Sequence, residues 1–110
     1  MLCIRVAATE AEPVITLSGE ADLTTLAQLE ETLNAQISAG ARILRLEMSG
    51  LRFADSATIA ALARAGRSLD ARGGRLELLN PRLALIRVLT LLGADKMLVL
   101  RTGGPDGSQA

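Results

Sequence analysis

The chain has 110 residues, 12 basic and 12 acidic side chains, no His, Trp or Tyr, and a single Phe. This length predicts one small domain, and the absence of His excludes imidazole-based nucleophile pairs and the usual zinc sites. The zero charge balance and the lack of aromatic stacking residues argue against nucleic-acid binding, and no apolar run is long enough for membrane insertion.

Cysteine usage and the first residues indicate the compartment. Cys3 is the one cysteine, so an internal disulfide is impossible, which predicts a cytoplasmic protein. Residues 1–11 carry acids and lack the apolar core of a secretory signal. Eleven of the twelve basic residues are Arg, which we interpret as genomic bias and not as a site.

The first third of the chain predicts a strand hairpin followed by a helix. Leu2–Val6 and Val14–Ser18 have strand character and are separated by a polar break. Apolar residues then recur at helical spacing: Leu26, Leu29, Leu33 and Ile37. Thr25 and Gln28 form a capping-box pattern at the start of this helix, and Gly40 suits its end.

The middle of the chain predicts a buried strand and a second helix. Ala41–Met48 is mostly apolar, which favours a strand covered on both faces, and residues 49–54 are predicted to be a short connection. The helix is predicted to start near Asp55-Ser56 and to close near Gly73. Its apolar positions are Ile59, Leu62, Ala63 and Leu69.

The last third repeats this pattern. Arg75–Leu79 is predicted to be a strand, Asn80 to cap a third helix with Pro81 as its first residue, and Gly93 to end it. Residues 97–100 predict a last strand. Three helices that each end in Gly and precede a strand predict a mixed α/β fold with right-handed crossovers, and residues 102–110, rich in Gly and Pro, predict a disordered tail.

Asp55 and Ser56 are the first candidate site. One interpretation is that Asp55 or Ser56 only caps the following helix, which is the commoner role for such residues. Alternatively, the Ser56 hydroxyl is a phosphorylation site at a helix N-terminus, where negative charge is stabilised. Asp22 is either a helix cap or part of an acidic recognition patch with Asp55, since strand-to-helix junctions gather at one edge of a sheet and would bring it close to Ser56.

Other conspicuous residues are given structural roles. Gly73-Gly74 is expected to end a helix, since it lacks the strand-to-helix context of a phosphate loop. Cys3 and Phe53 are expected in the core. No general base, metal site or cofactor loop is recognisable, so we expect no catalysis and no cofactor.

Four segments in order resemble the motifs of STAS domains, the anti-sigma factor antagonist family. They are LSGEADLTT at 17–25, ILRLEMSGLRFADSATI at 43–59, ARGGRLELLNP at 71–81 and VLTLLGAD at 88–95. The resemblance covers about residues 4–100 without a gap. It implies a STAS-like mixed sheet of about five strands, with three or more helices packed mainly on one face, as a single domain over residues 1–101.

The resemblance also implies a function. Ser56 matches the serine that is phosphorylated in the family, and the implied partner-binding residues are Asp22, Thr24, Asp55, Ser56, Ala57 and Thr58. The implied partners are an anti-sigma factor of the serine kinase type and a phosphatase, with the chain itself a monomer or weak dimer. Phosphorylation would add negative charge beside two acids and release the kinase.

Two departures from the family pattern and one alternative accompany this reading. Glu47 replaces the usual Asp, and Thr58 replaces the usual Gly, which affects how closely a partner can approach. The alternative is a STAS subunit of an ABC lipid-transport system or of a sensory assembly, which needs no phosphorylation.

Overall fold

A five-stranded sheet with three α-helices accounts for most of residues 1–7 and 12–102, which are the residues that this computed structural model describes. The elements are β1 (Leu2–Ala7), β2 (Val14–Ala21), α1 (Leu26–Ser38), β3 (Ile43–Ala54), α2 (Ser56–Asp70), β4 (Arg75–Leu79), α3 (Leu83–Leu91), a 3-10 helix (Ala94–Met97) and β5 (Val99–Arg101). The predicted tail at 102–110 falls outside the described residues from position 103 onward. No described helix has the length and apolar character needed to cross a membrane.

The order of strands in the sheet follows the order in the chain, β1-β2-β3-β4-β5. β1 and β2 are antiparallel, and every later pair is parallel. From β2 onward, each crossover connects a strand to its neighbour on the same side, towards β5. Because such crossovers are right-handed, they place α1, α2 and α3 on the same face of the sheet. The predicted mixed sheet with helices on one face is confirmed.

The burial pattern of β3 corrects the sequence prediction for this strand. Leu44, Leu46 and Met48 are fully buried against the helices, whereas the alternate residues Arg45 and Glu47 lie on the other face. The prediction of a strand covered on both faces was therefore wrong, because no helix among the described residues covers this second face. We call it the open face.

β3 is also longer than predicted, because residues 49–54 continue the strand and do not form a connection. They pair with β2 as far as Ala21 opposite Ala54, whereas β4 pairs with β3 only as far as Glu47. The end of β3 is thus paired on one side only. Phe53 lies in this stretch and is 53% exposed, which corrects its predicted place in the core.

Cys3 was also predicted to be buried, and it is exposed. It alternates along β1 with Leu2, which is the residue that faces the core. The period-2 geometry of a strand places its side chain on the open face.

Two predicted helix caps were wrong, and the predicted helix ends were right. The Thr25 hydroxyl bonds to the backbone of Asp22 and makes no cap bond to the helix, so there is no capping box. Arg82, and not Asn80, occupies the N-cap position of α3. Asn80 lies two residues earlier and has a left-handed φ of 55°. The glycines predicted to end the three helices all have positive φ: Gly40, Gly73 and Gly93.

Candidate functional site

The ends of β2 and β3 lie side by side and bring two acidic residues together. Ala21 is paired with Ala54, and the amide of Asp55 donates a hydrogen bond to the carbonyl of Ala21 at 3.1 Å. Asp22 directly follows the last residue of β2, and Asp55 directly follows the last residue of β3. The structure therefore places both predicted acids at the carboxyl edge of the sheet, beside the start of α2.

Asp55 is the N-cap of α2. Its backbone is extended, and its carboxylate oxygen Oδ1 accepts a hydrogen bond from the amide of Thr58 at 2.9 Å. This bond satisfies one of the amides that a helix leaves unpaired in its first turn. Capping is thus a role that Asp55 already fills in the isolated domain.

Ser56 is the first residue of α2, and its side chain is exposed. The positive end of the helix dipole lies at this residue, so a negative group on its hydroxyl is favoured locally. The hydroxyl has no neighbouring imidazole to activate it, because the chain contains no His. Ser56 thus presents an exposed hydroxyl at the first turn of α2.

Asp22 forms a compact turn with Thr24. Its Oδ1 accepts from the Thr24 amide at 2.9 Å and from the Thr24 hydroxyl at 2.5 Å. The hydrogen bond from the Thr24 side chain lowers the pKa of Asp22 below its ordinary value, and the slight burial that opposes this is outweighed. Asp22 thus carries a fixed negative charge beside the exposed Thr24.

Thr58 occupies a different environment from the other proposed contact residues. Its side chain is 1% exposed, and its Oγ1 has no hydrogen-bond partner among the described atoms. The third position of α2 faces the sheet, whereas Ser56 faces solvent and Ala57 is half-buried. The side chain of Thr58 is therefore not available for direct contact, and we leave it out of the proposed surface.

A groove of about 380 Å³ begins at Ser56 and runs along α2. One wall is formed by α2 through Ile59, Ala60 and Ala63, and the other by Leu92 and Met97 beyond α3. Arg64 and Arg67 lie farther along the same groove. The hydroxyl of Ser56 is thus at the edge of a mainly apolar concave surface.

A second, smaller hollow of about 110 Å³ lies between the end of β3 and α3. Phe53, Arg82 and Val88 are among its lining residues, and Leu83 nearby is 61% exposed. Sequence reasoning missed both concave surfaces. The available signal was α3 itself, whose sequence LALIRVLTL is more apolar than a helix with one buried face requires.

The described part of the chain offers no cluster of metal-ligating side chains. No group of three or more His, Cys, Asp or Glu side chains is arranged to hold a metal ion there. The arrangement instead offers an exposed hydroxyl, two fixed carboxylates and adjoining apolar surface. Such features are typical of a protein-binding site.

Comparisons with known proteins identify the fold. A family model described as "Mlab, STAS domain" matches residues 4–101. An anti-sigma factor antagonist from Mycobacterium paratuberculosis is 24% identical, with a TM-score of 0.82 over 92% of this chain and 86% of that one. Unphosphorylated SpoIIAA, an anti-sigma factor antagonist, is 23% identical, with a TM-score of 0.81 over 94% and 90%.

SpoIIAA, described as a Bacillus cell fate determinant, is also similar in its phosphorylated form, at 24% identity and a TM-score of 0.76 over 94% of each chain. At this identity the likeness concerns the fold. No curated protein sequence matches the chain.

Proposed function

Because the chain belongs to the STAS domain family, we propose that it is an anti-sigma factor antagonist that is switched by phosphorylation of Ser56. In the unmodified state it binds an anti-sigma factor of the serine kinase type and so releases a sigma factor. The kinase then transfers a phosphoryl group to Ser56, the complex dissociates, and a phosphatase restores the binding form. The chain itself acts in the cytoplasm and supplies no catalysis.

The observation that carries this proposal is the setting of Ser56. It is an exposed hydroxyl at a helix N-terminus, and it borders the apolar groove along α2. A partner that covers this groove also covers Ser56. Asp22, Thr24, Asp55 and Ala57 complete the proposed contact surface.

The switch follows from the charges at this surface. A phosphoserine carries nearly two negative charges. Within the isolated domain these are stabilised by the dipole of α2. In a complex they would be desolvated beside Asp22, so phosphorylation weakens binding far more than it affects folding.

The test combines intact-mass spectrometry with calorimetry. The full chain is incubated with ATP and the kinase that co-purifies with it, and one added phosphate is expected. Ser56→Ala should lose this phosphate, and Ser68→Ala, which removes another exposed hydroxyl of α2, should keep it. Phosphate on the Ser56→Ala protein would refute the assignment.

Binding is the second measurement. Ser56→Glu should weaken the complex by at least about tenfold, the scale of one desolvated charge contact. Ser68→Glu should bind as the wild type does. The unfolding free energy of Ser56→Glu should stay within about 0.5 kcal/mol of the wild type, because an acid in the first turn of a helix is tolerated or favoured.

A second candidate function is favoured by the description of the matched family model, which names Mlab and does not mention anti-sigma factor antagonists. In this case the chain is a STAS subunit of an ABC lipid-transport system or of a sensory assembly. It would bind its partner through the same surface without phosphorylation. Co-purification with a transporter ATPase, and no phosphate on Ser56 after incubation with ATP, would select this candidate.

A further inference from the structure

The open face of the sheet contains a carboxylate that is completely buried. Glu77, in the middle of β4, is 0% exposed although none of the described helices covers this face. It is buried because three arginine side chains from three different strands surround it: Arg45 of β3, Arg75 of β4 and Arg101 of β5. We call these four residues the arginine cluster.

All three arginines use the same nitrogen to reach Glu77. The Nε atoms of Arg45, Arg75 and Arg101 lie 2.9, 2.5 and 3.3 Å from its carboxylate oxygens. Arg45 also places Nη1 2.7 Å from Glu12. The terminal nitrogens of Arg101 have no partner among the described residues, and this side chain is 54% exposed. Glu77 therefore orients Arg101 and Arg45 so that the terminal nitrogens of Arg101 and Nη2 of Arg45 can bind a ligand, whereas Nη1 of Arg45 is held by Glu12.

The net charge of the arginine cluster and Glu12 determines which ligands this surface can bind. Three guanidinium groups face two carboxylates, those of Glu77 and Glu12, which leaves one uncompensated positive charge among these residues. An anionic group of a ligand would compensate this charge. Arg binds carboxylates in a planar, often bidentate geometry.

The shape of this face adds an apolar requirement. A groove of about 310 Å³ is lined by Arg45, Glu77 and Arg101 together with Val14 and Leu79. These residues come from β2, β3, β4 and β5, so the groove crosses the open face of the sheet. An extended peptide lying in it presents side chains two residues apart to the same face.

We propose that this groove is a second docking site, for an extended acidic segment of a protein partner, in which Arg101 and Arg45 bind one carboxylate while Val14 and Leu79 contact an apolar side chain two residues away. Arg75 keeps Glu77 neutralised on the other side and does not line the groove. The site lies on the opposite face of the sheet from the helix that carries Ser56. It is therefore independent of the proposed phosphorylation switch.

The test uses the intact chain and NMR of the arginine Nε–Hε groups. The probe is the blocked peptide acetyl-Thr-Glu-Thr-Val-Thr-amide, and the control is the same peptide with Gln in place of Glu. We expect saturable shifts for Arg101 and Arg45 with the Glu peptide, and affinity about tenfold lower with the Gln peptide. Added salt should weaken the binding.

Variants separate the groove from the cluster as a whole. Arg101→Gln should lower the affinity for the Glu peptide about tenfold. Arg75→Gln is the control, because it removes the same charge from the cluster and Arg75 does not line the groove. It should lower the affinity for the Glu peptide much less than Arg101→Gln does. Ser56→Glu should bind the peptide as the wild type does. Equal binding of the Glu and Gln peptides, equal effects of the two arginine variants, or shifts produced equally by inorganic phosphate would overturn the proposal.

Discussion

Asp55 and Thr58 are joined by a hydrogen bond of 2.9 Å from the Thr58 amide to the Asp55 carboxylate, directly below the exposed Ser56. The residue before the proposed phosphoacceptor therefore has a structural task of its own. Asp55 fixes the first turn of α2, and this turn determines how Ser56 is presented. A change at Asp55 would alter both stability and presentation.

Asp55→Ala is expected to lower the free energy of unfolding by about 1 kcal/mol, because the helix loses its N-cap. Asp55→Asn should retain most of the stability, since the Asn side chain also caps. Urea denaturation provides the measurement. Asp70→Ala, which removes an exposed carboxylate at the other end of α2, is the control and should not destabilise the protein. Equal losses for Asp55→Ala and Asp70→Ala would contradict the capping role.

Thr58→Val is expected to stabilise the protein by about 1 kcal/mol. Val has the same shape as Thr, and the substitution removes a buried hydroxyl that has no hydrogen-bond partner. Thr58→Ser keeps a hydroxyl but loses a buried methyl group, and should destabilise. Thr58→Gly, which restores the residue usual in the family pattern, should cost about 1 kcal/mol or more through loss of helix propensity and packing. Thermal denaturation orders the three variants, and a less stable Val variant would show that the hydroxyl is satisfied.

Gly66→Ala is expected to destabilise the protein by about 1–3 kcal/mol, although Ala normally favours a helix over Gly. A Cβ at this position in α2 would overlap the carbonyl oxygen of Met97. Gly40→Ala is the matched control, because a Cβ there meets nothing within 4 Å and the only cost is its φ of 101°. Denaturant midpoints should therefore fall further for Gly66→Ala, and the reverse order would contradict the close contact between α2 and the 3-10 helix.

Acid is expected to destabilise the protein through Glu77. Burial alone raises the pKa of Glu77, but hydrogen bonds from Arg75 and Arg45 and the charges of Arg45 and Arg101 outweigh it, so the pKa lies below its ordinary value of 4.5. The folded state thus binds this proton less readily than the unfolded state. The stabilisation is present above about pH 4.5 and is lost as the pH falls through the folded-state pKa.

The pH dependence of urea unfolding checks this expectation. Glu77→Gln should be less stable than the wild type at neutral pH, because it leaves the arginines without their counter-charge, and it should lose less stability on acidification. Glu31→Gln, an exposed change on α1, should follow the wild-type profile. The pKa of Glu47 is also lowered, by hydrogen bonds from Ser49 and Asn80 that outweigh its burial, so part of the acid sensitivity should remain in Glu77→Gln. An unchanged acid response in Glu77→Gln would contradict the account.

The elements that the sequence predicted well depend on local signals. The positive φ at Gly40, Gly73 and Gly93 can be predicted from the glycine itself, which adopts this conformation readily. The helices α1 and α2 can be predicted from the spacing of apolar residues within each helix. Two of the errors involve partners distant in the chain. The second half of β3 is a strand because β2 lies beside it, and Asn80 is held before α3 by its hydrogen bond to Glu47 at 2.6 Å.

The candidate site divides in the same way. The position of Ser56 and the cap by Asp55 follow from a strand-to-helix junction that can be seen in the sequence. The burial of the Thr58 side chain and the apolar groove depend on how α2 packs against the sheet and α3. The spacing of apolar residues in the sequence does not predict this packing. The high arginine content was interpreted as genomic bias, yet Arg45, Arg75 and Arg101 meet at Glu77 from three strands.

The sequential strand order of this sheet has a consequence for how the protein is made. Each strand pairs with the strand that precedes it in the chain, so the nascent polypeptide can add one strand and one helix at a time to an existing edge as it leaves the ribosome. Every parallel pairing nevertheless closes a crossover that contains a helix, so these contacts should form more slowly than those of the β1–β2 hairpin. β5 is the last of the five described strands to be synthesised, so Arg101 is the last of the three arginines that can reach Glu77.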